Sequence, residues 1–311
     1  MVLRLEDCSK IRQLPTLGCL PRLKILVIRG MGAVKYIGNE LYSRIGRAGV
    51  LFPALKKLIM IGMDGLEEWM VPGGEGDQVF PCLEELTIKR CGKLKSISIC
   101  GLSSLVEFEI EGCGELRYLS GEFHDFTSLQ LLRIQGCEKL ESIPRVQHCT
   151  SLVELKIQGC GELISIPSDL GELKFSLKKL MIDSCKLKAL PSGLQHCASL
   201  EELEIQNWGE LIHINDLQKL SSLQILWISS CDKLISIDWH GLRQLRSLVE
   251  LEISGCPSLS DFPEEDCMDS LTQLSELTIG GFSGVLEAFP AGVLNSIQHL
   301  NLSGSLETLL I

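Results

Sequence analysis

Fourteen of the 311 residues are cysteines, and a thiol can ligate a metal, form a disulfide or attack an electrophile. Eight of them, Cys8, Cys91, Cys113, Cys137, Cys160, Cys185, Cys231 and Cys256, share one local pattern, an aliphatic residue three positions ahead of the cysteine. Zinc sites declare themselves through close pairs such as C-x-x-C, and neither that spacing nor H-x-x-C occurs in the chain. Metal binding is therefore not the reading the spacing favours. Cys149 and Cys197 fall in a second echo, Gln147-His148-Cys149-Thr150-Ser151-Leu152 and Gln195-His196-Cys197-Ala198-Ser199-Leu200. A Cys-His pair is the core of nucleophilic thiol catalysis, but sequence neighbours on a loop rarely face each other, and no orienting third group is readable. These two cysteines read as packing residues.

The pattern around the cysteines belongs to a longer repeat, L-x-x-L-x-[IL]-x-x-C-x-x-L-x-x-[IL]-P. Its leading position is held by Leu23, Leu55, Leu83, Leu105, Leu129, Leu152, Leu177, Leu200, Leu223, Leu248, Leu274 and Ile297, and a truncated unit with Leu3, Leu5 and Cys8 precedes them, giving 13 units. A period of 20 to 50 residues is the signature of a solenoid. Within a unit, Glu154-Leu155-Lys156-Ile157-Gln158 alternates apolar and variable residues, the period-2 pattern of a short half-buried strand. Pro167 closes that unit and blocks any continuing ladder. Stacked units imply an α/β leucine-rich-repeat solenoid: a right-handed horseshoe with a concave parallel sheet and mostly irregular or 3₁₀ convex segments. The cysteine position, which such repeats fill with Asn or Cys, is then a core rung. Met31, Met63, Trp208, Phe282 and Ser305 hold it elsewhere. Cysteines in successive units would lie about 5 Å apart, and such a ladder would scramble under oxidation, which favours a reducing compartment.

A solenoid has no size limit set by one core, so residues 1–311 read as a single domain. The 45% hydrophobic but only 5% aromatic composition fits aliphatic rungs, and no stretch reaches the length of a membrane span. Arg4, Glu6 and Asp7 stand where a secretory signal needs an apolar run, so the chain is expected in the cytoplasm, with the nucleus as the alternative. A formal charge of −11 argues against nucleic acid as a partner.

Two spacers interrupt the repeat, near residues 38–52 and 70–80. The glycines of the second, Gly73-Gly74-Glu75-Gly76, lack the lysine and following helix of a phosphate loop. With Ile37-Gly38-Asn39-Glu40, Phe52-Pro53-Ala54-Leu55-Lys56-Lys57-Leu58, Leu66-Glu67-Glu68-Trp69 and the cysteine-centred units, the layout resembles the leucine-rich-repeat region of plant coiled-coil, nucleotide-binding, leucine-rich-repeat disease-resistance proteins. That resemblance covers essentially the whole chain. It implies a sensor of plant innate immunity that perceives a pathogen effector or a guarded host protein, holds a nucleotide-binding switch inactive, or does both. No G-x-x-x-x-G-K-[ST] is present, so no nucleotide cofactor is carried over. The chain reads as a fragment of a larger receptor.

On the concave sheet the middle variable position of each unit points outward. Three patches follow: apolar Val27, Ile59 and Ile61, expected to meet another domain of the receptor; acidic Glu107, Glu109 and Glu111 beside Arg133 and Lys156, expected to neutralise one another across strands; and Met181, Glu204 and Trp227, where an outward Trp is the residue type most enriched at interface hot spots. Trp208, at the rung position, and Trp69, the last apolar residue of its unit, are expected in the core. Catalysis is not expected, because no acid, base and nucleophile converge on this face. Two other functions fit the same fold: the substrate-binding repeats of a ubiquitin-ligase-type adaptor, or an inactive truncated paralogue.

Overall fold

The structure is a computed structural model that describes residues 1–42, 49–72, 78–120, 125–166, 170–260, 268, 270–282 and 297–303. Pro167, Ser305 and the centres of both spacers lie outside the described residues. The chain divides into two compact units, Met1–Ser168 and Asp169–Ile311.

In the first unit seven five-residue strands form a parallel ladder: β1 (Val2–Glu6), β2 (Ile25–Arg29), β3 (Lys57–Ile61), β4 (Glu85–Lys89), β5 (Glu107–Glu111), β6 (Leu131–Gln135) and β7 (Glu154–Gln158). They pair in sequence order with each repeat position opposite its equivalent, as in Phe108 against Leu132 and Leu132 against Leu155. The second unit carries β8 (Lys179–Cys185), β9 (Glu202–Trp208), β10 (Ile225–Ser229), β11 (Glu250–Ser254), β12 (Glu276–Gly280) and β13 (His299–Ser303), parallel and equally in register. Each unit is thus a leucine-rich-repeat solenoid. The leading leucines from Leu23 to Leu274 and the inward strand residues from β2 to β12 are buried; each fully buried Leu or Ile contributes about 1.5 to 3 kcal/mol. The repeat is a core that grows one layer at a time.

Each strand ends in the same turn. The residue just before the rung takes a positive φ in all twelve units where it is described, from Asp7 (55°) to Gly281 (73°), and glycine fills seven of those places. That twist turns the rung side chain inward and lets the turn's N–H bond the next strand, as in Gly136 to Gln158 O at 2.8 Å. The rung carbonyl then accepts from the residue three positions on, Leu94 to Cys91 and Leu140 to Cys137, both at 3.0 Å. The fixed C-x-x-L spacing is that turn.

Behind the first unit's ladder the structure departs from the irregular segments expected there. Tyr36–Ile37, Glu68–Met70, Ser96–Ser98 and Tyr118–Ser120 form a second parallel sheet, because Ile37, Trp69, Ile97 and Leu119 alternate inward while their neighbours face solvent. The second unit is closer to expectation, with 3₁₀ turns at Leu170–Leu173, Leu194–His196 and Leu217–Lys219. The first spacer carries its own small core. Phe52 stacks on Phe80 at 4.8 Å, the Tyr42 ring stands edge-on to both at 6.0 and 5.8 Å, and Trp69 Nε1 donates to the Tyr42 hydroxyl at 2.8 Å. Insertion is tolerated because the inserted aromatics bury one another.

Candidate binding face of the two ladders

The thiols are held by the rungs. Cys91, Cys113, Cys137, Cys160, Cys185, Cys231 and Cys256 are buried and none of the thirteen described cysteines is bridged. Six of these seven, together with Cys8, donate Sγ–H to the carbonyl oxygen two residues back, at 3.3 to 3.7 Å. A hydrogen bond to the Cys137 thiol and burial push the Cys113 thiol up to about 12, so the reactive thiolate is suppressed. Burial likewise pushes Cys149 up to about 12. Cys197 Sγ donates to Leu170 O at 3.2 Å while His148 and His196 are exposed; in both echoes thiol and imidazole part company. Among the described residues no group of three or more His, Cys, Asp or Glu is placed to hold a metal ion.

Outward positions of the ladders form the remaining chemical surface. In the first unit Val27 lies opposite Ile59, and Ile61 opposite Arg29, all three aliphatics half-buried. These three adjacent aliphatics, with Ile25 on the same strand as Val27, make a small apolar stripe. The acidic strand β5 is neutralised differently from expectation. Glu109 faces Arg133 in the register, yet it is Lys89 that bridges Glu109 and Glu111, at 2.9 and 2.8 Å. Hydrogen bonds to Glu111 and Glu109 raise the Lys89 pKa. Arg133 turns the other way and donates Nε to Glu154 at 3.0 Å. Lys156 sits opposite Arg133 and takes no part in the pairing with Glu109. Long side chains choose partners by reach and rotamer, which strand register alone does not fix.

In the second unit Met181, Glu204 and Trp227 occupy one row on consecutive strands. Trp227 is half-buried, and its Nε1 donates to Glu250 Oε1 on β11 at 2.9 Å. Glu204, between Met181 and Trp227, is only 6% exposed. Glu250 carries no sequence pattern that marks it; only the register, which sets it beside Ile225 on the strand of Trp227, could have found it. Trp208 and Trp69 are core residues as expected, at 0 and 1% exposure.

The two faces also differ in charge. Outward positions of β1 to β7 hold six carboxylates (Glu6, Glu85, Glu107, Glu109, Glu111, Glu154) and six cations (Arg4, Arg29, Lys57, Lys89, Arg133, Lys156). Those of β8 to β13 hold six carboxylates, Asp183, Glu202, Glu204, Glu250, Glu252 and Glu276, against one lysine, Lys179. The first face is balanced and the second is acidic.

No family model matches the chain. Among curated proteins, a disease resistance protein of Arabidopsis thaliana is 36% identical over 123 residues, 39% of this chain and 8% of that protein. The disease resistance RPP13-like protein 1 of the same plant is 31% identical over 149 residues, 46% of this chain and 14% of that protein. The chain is similar to plant disease resistance proteins. Its matches span about a tenth of those proteins' length. This agrees with the resemblance to the repeat region of nucleotide-binding disease-resistance proteins drawn from Phe52-Pro53, Leu66-Glu67-Glu68-Trp69 and the cysteine-centred units. Among solved structures, the Toll–Spätzle complex of Drosophila aligns with 97% of this chain and 47% of that one, at 16% identity and a TM-score of 0.56, a likeness of fold alone. Among the described residues no helix is long and apolar enough to cross a membrane.

Proposed function

We propose that the chain is the protein-recognition segment of a plant innate immune receptor, acting without catalysis or cofactor in the cytoplasm or nucleus. Its similarity to plant disease resistance proteins supports the setting. One observation carries the mode of action: Trp227 stands half-buried on an open sheet face, held by Glu250 at 2.9 Å, with Met181 and Glu204 in the same row. An aromatic of that kind on a rigid strand is an interface anchor available at small entropic cost. Glu109, Arg133 and Lys156 supply a second, charge-balanced contact face on the first unit. The Val27, Ile59 and Ile61 stripe is the docking point for a nucleotide-binding domain of the same receptor, and the outer face is left for a pathogen effector or a guarded host protein.

The test is genetic and then biochemical. The transcript upstream of Met1 is sequenced in its source, and the protein it encodes is assayed for binding to this chain and to an Ile59→Glu variant. The reading expects an in-frame domain with a phosphate loop that binds the chain and loses affinity for the variant. An upstream stop codon with no such domain overturns it in favour of a free-standing repeat protein.

A further inference from the structure

We infer that the open face of β9 to β11 binds a basic, extended segment of its protein partner, with a lysine or arginine side chain laid against Trp227 beside Glu252. The inference rests on reading the chain as a recognition segment and specifies the chemistry of what it recognises.

The register places Trp227 directly between Glu204 on β9 and Glu252 on β11. With strands about 4.8 Å apart, the backbones that carry the two glutamates lie about 10 Å apart across the strand of Trp227; Glu204 is buried there and Glu252 is half-buried. The bond from Trp227 Nε1 to Glu250 occupies the indole's only donor and fixes the ring on the sheet. What the ring still offers a partner is its negative π-face, and a π-face bordered by carboxylates attracts an ammonium or guanidinium group rather than an anion or an alkyl chain.

The charge census points the same way. On the first unit's face cations and carboxylates are equal in number and many are paired at contact distance, as in Lys89 with Glu109 and Glu111 or Arg133 with Glu154. On the second unit's face a single lysine, Lys179, stands against six carboxylates, and it pairs with Glu202 at 2.5 Å. Glu250 and Glu276 stand directly opposite each other on adjacent strands, an arrangement that destabilises the free sheet. Incoming positive charge relieves that repulsion, so the electrostatic cost in the free chain becomes complementarity in the complex.

A random-peptide library displayed on phage is selected against the full chain at low salt. A fluorescently labelled selected peptide is then titrated with the chain and its variants by anisotropy. Glu252→Gln keeps the side-chain shape and Trp227→Ala removes the ring; thermal melts establish that both variants fold. Arg117→Gln, an exposed residue of the first unit that lies outside both ladders and pairs with Glu141, is the control. The inference expects selected peptides enriched in lysine and arginine and affinity that falls about tenfold or more in both second-unit variants. It also expects no change in the control and weaker binding as salt is raised. Selected peptides without basic enrichment, or equal affinity in all variants, overturn it. So does spermine competing as well as the peptide, which would mean a small-cation site. The two readings fail separately: an upstream stop codon leaves these titrations standing, and a non-basic peptide set leaves the receptor reading intact.

Discussion

The indole N–H of Trp208 donates to the carbonyl oxygen of Ile182 at 2.8 Å, reaching from its own strand to the one before. Cys137, at the equivalent rung, satisfies the carbonyl of Gln135 within its own strand, at 3.7 Å. Trp208 faces Cys185 across the register, so the large ring takes the space that a pair of small rungs leaves elsewhere. Rung identity thus trades a local sulfur contact for a stronger bond that ties two repeats together.

Trp208→Ala is therefore expected to cost about 3 to 5 kcal/mol, the range for removing a fully buried tryptophan. Trp208→Phe should lose less, chiefly the hydrogen bond, about 1 kcal/mol. Urea unfolding of the two variants checks the order. Equal losses would mean that the hydrogen bond contributes nothing.

The turn before each rung gives a second, graded expectation. A Cβ at Gly136 would meet only ordinary contacts, Gly112 N at 3.5 Å, so Gly136→Ala is charged for its positive φ of 60° alone, about 1 kcal/mol. At Gly281 the Cβ would also press on Gly255 N at 2.7 Å, and the loss should be clearly larger. Arg90 already endures the same conformation, φ 54°, so Arg90→Gly should cost nothing or add a few tenths of a kcal/mol. Chemical denaturation midpoints rank the three.

Much of this was legible in the sequence because it is local. The leading leucines, the period-2 strands and the buried cysteine rungs follow from alternation within five residues, and Trp208 and Trp69 were placed in the core from their repeat positions. The turn was also written there, in Gly112-Cys113, Gly136-Cys137 and Gly159-Cys160, but Arg90, Ser184 and Asn207 in the same role hide it. The short sheet through Glu68–Met70 and Ser96–Ser98 was not legible, because two or three alternating residues cannot be told from a loop. Nor were the partners of Glu109 and Trp227. The register names every neighbour, and the rotamer then selects one.

Raised thiols make stability fall in alkali. Cys113 and Cys149 are pushed up to about 12 and Cys185 to about 11, whereas an unfolded cysteine ionises near pH 8.5 to 9. Below that pH both states hold the proton and nothing changes. Above it the unfolded chain releases protons that the folded chain keeps, so unfolding gains about 1 kcal/mol per thiol by pH 10. The denaturant midpoint should drop between pH 9 and 11, and Cys149→Ala should flatten that drop. A maleimide at pH 8 should label exposed Cys19 and Cys82 before any rung cysteine; rapid labelling of Cys137 in folded protein would contradict the buried rung.

Lys89 holds Glu109 and Glu111 together at 2.9 and 2.8 Å with 28% of its side chain exposed, whereas Lys56 meets only Glu84 and is 52% exposed. Lys89→Met leaves two carboxylates on one strand face without their shared cation, and should cost about 1 kcal/mol. Lys56→Met should cost less, because solvent already screens the pair. The cause is repulsion, so adding Glu109→Gln to Lys89→Met should recover part of the loss, while adding Glu84→Gln to Lys56→Met should recover nothing measurable. Thermal melts at low and high salt separate the cases. Salt should narrow the gap between Lys89→Met and the parent, and a gap that salt leaves untouched would assign the lysine's role to the packing of its methylene stem.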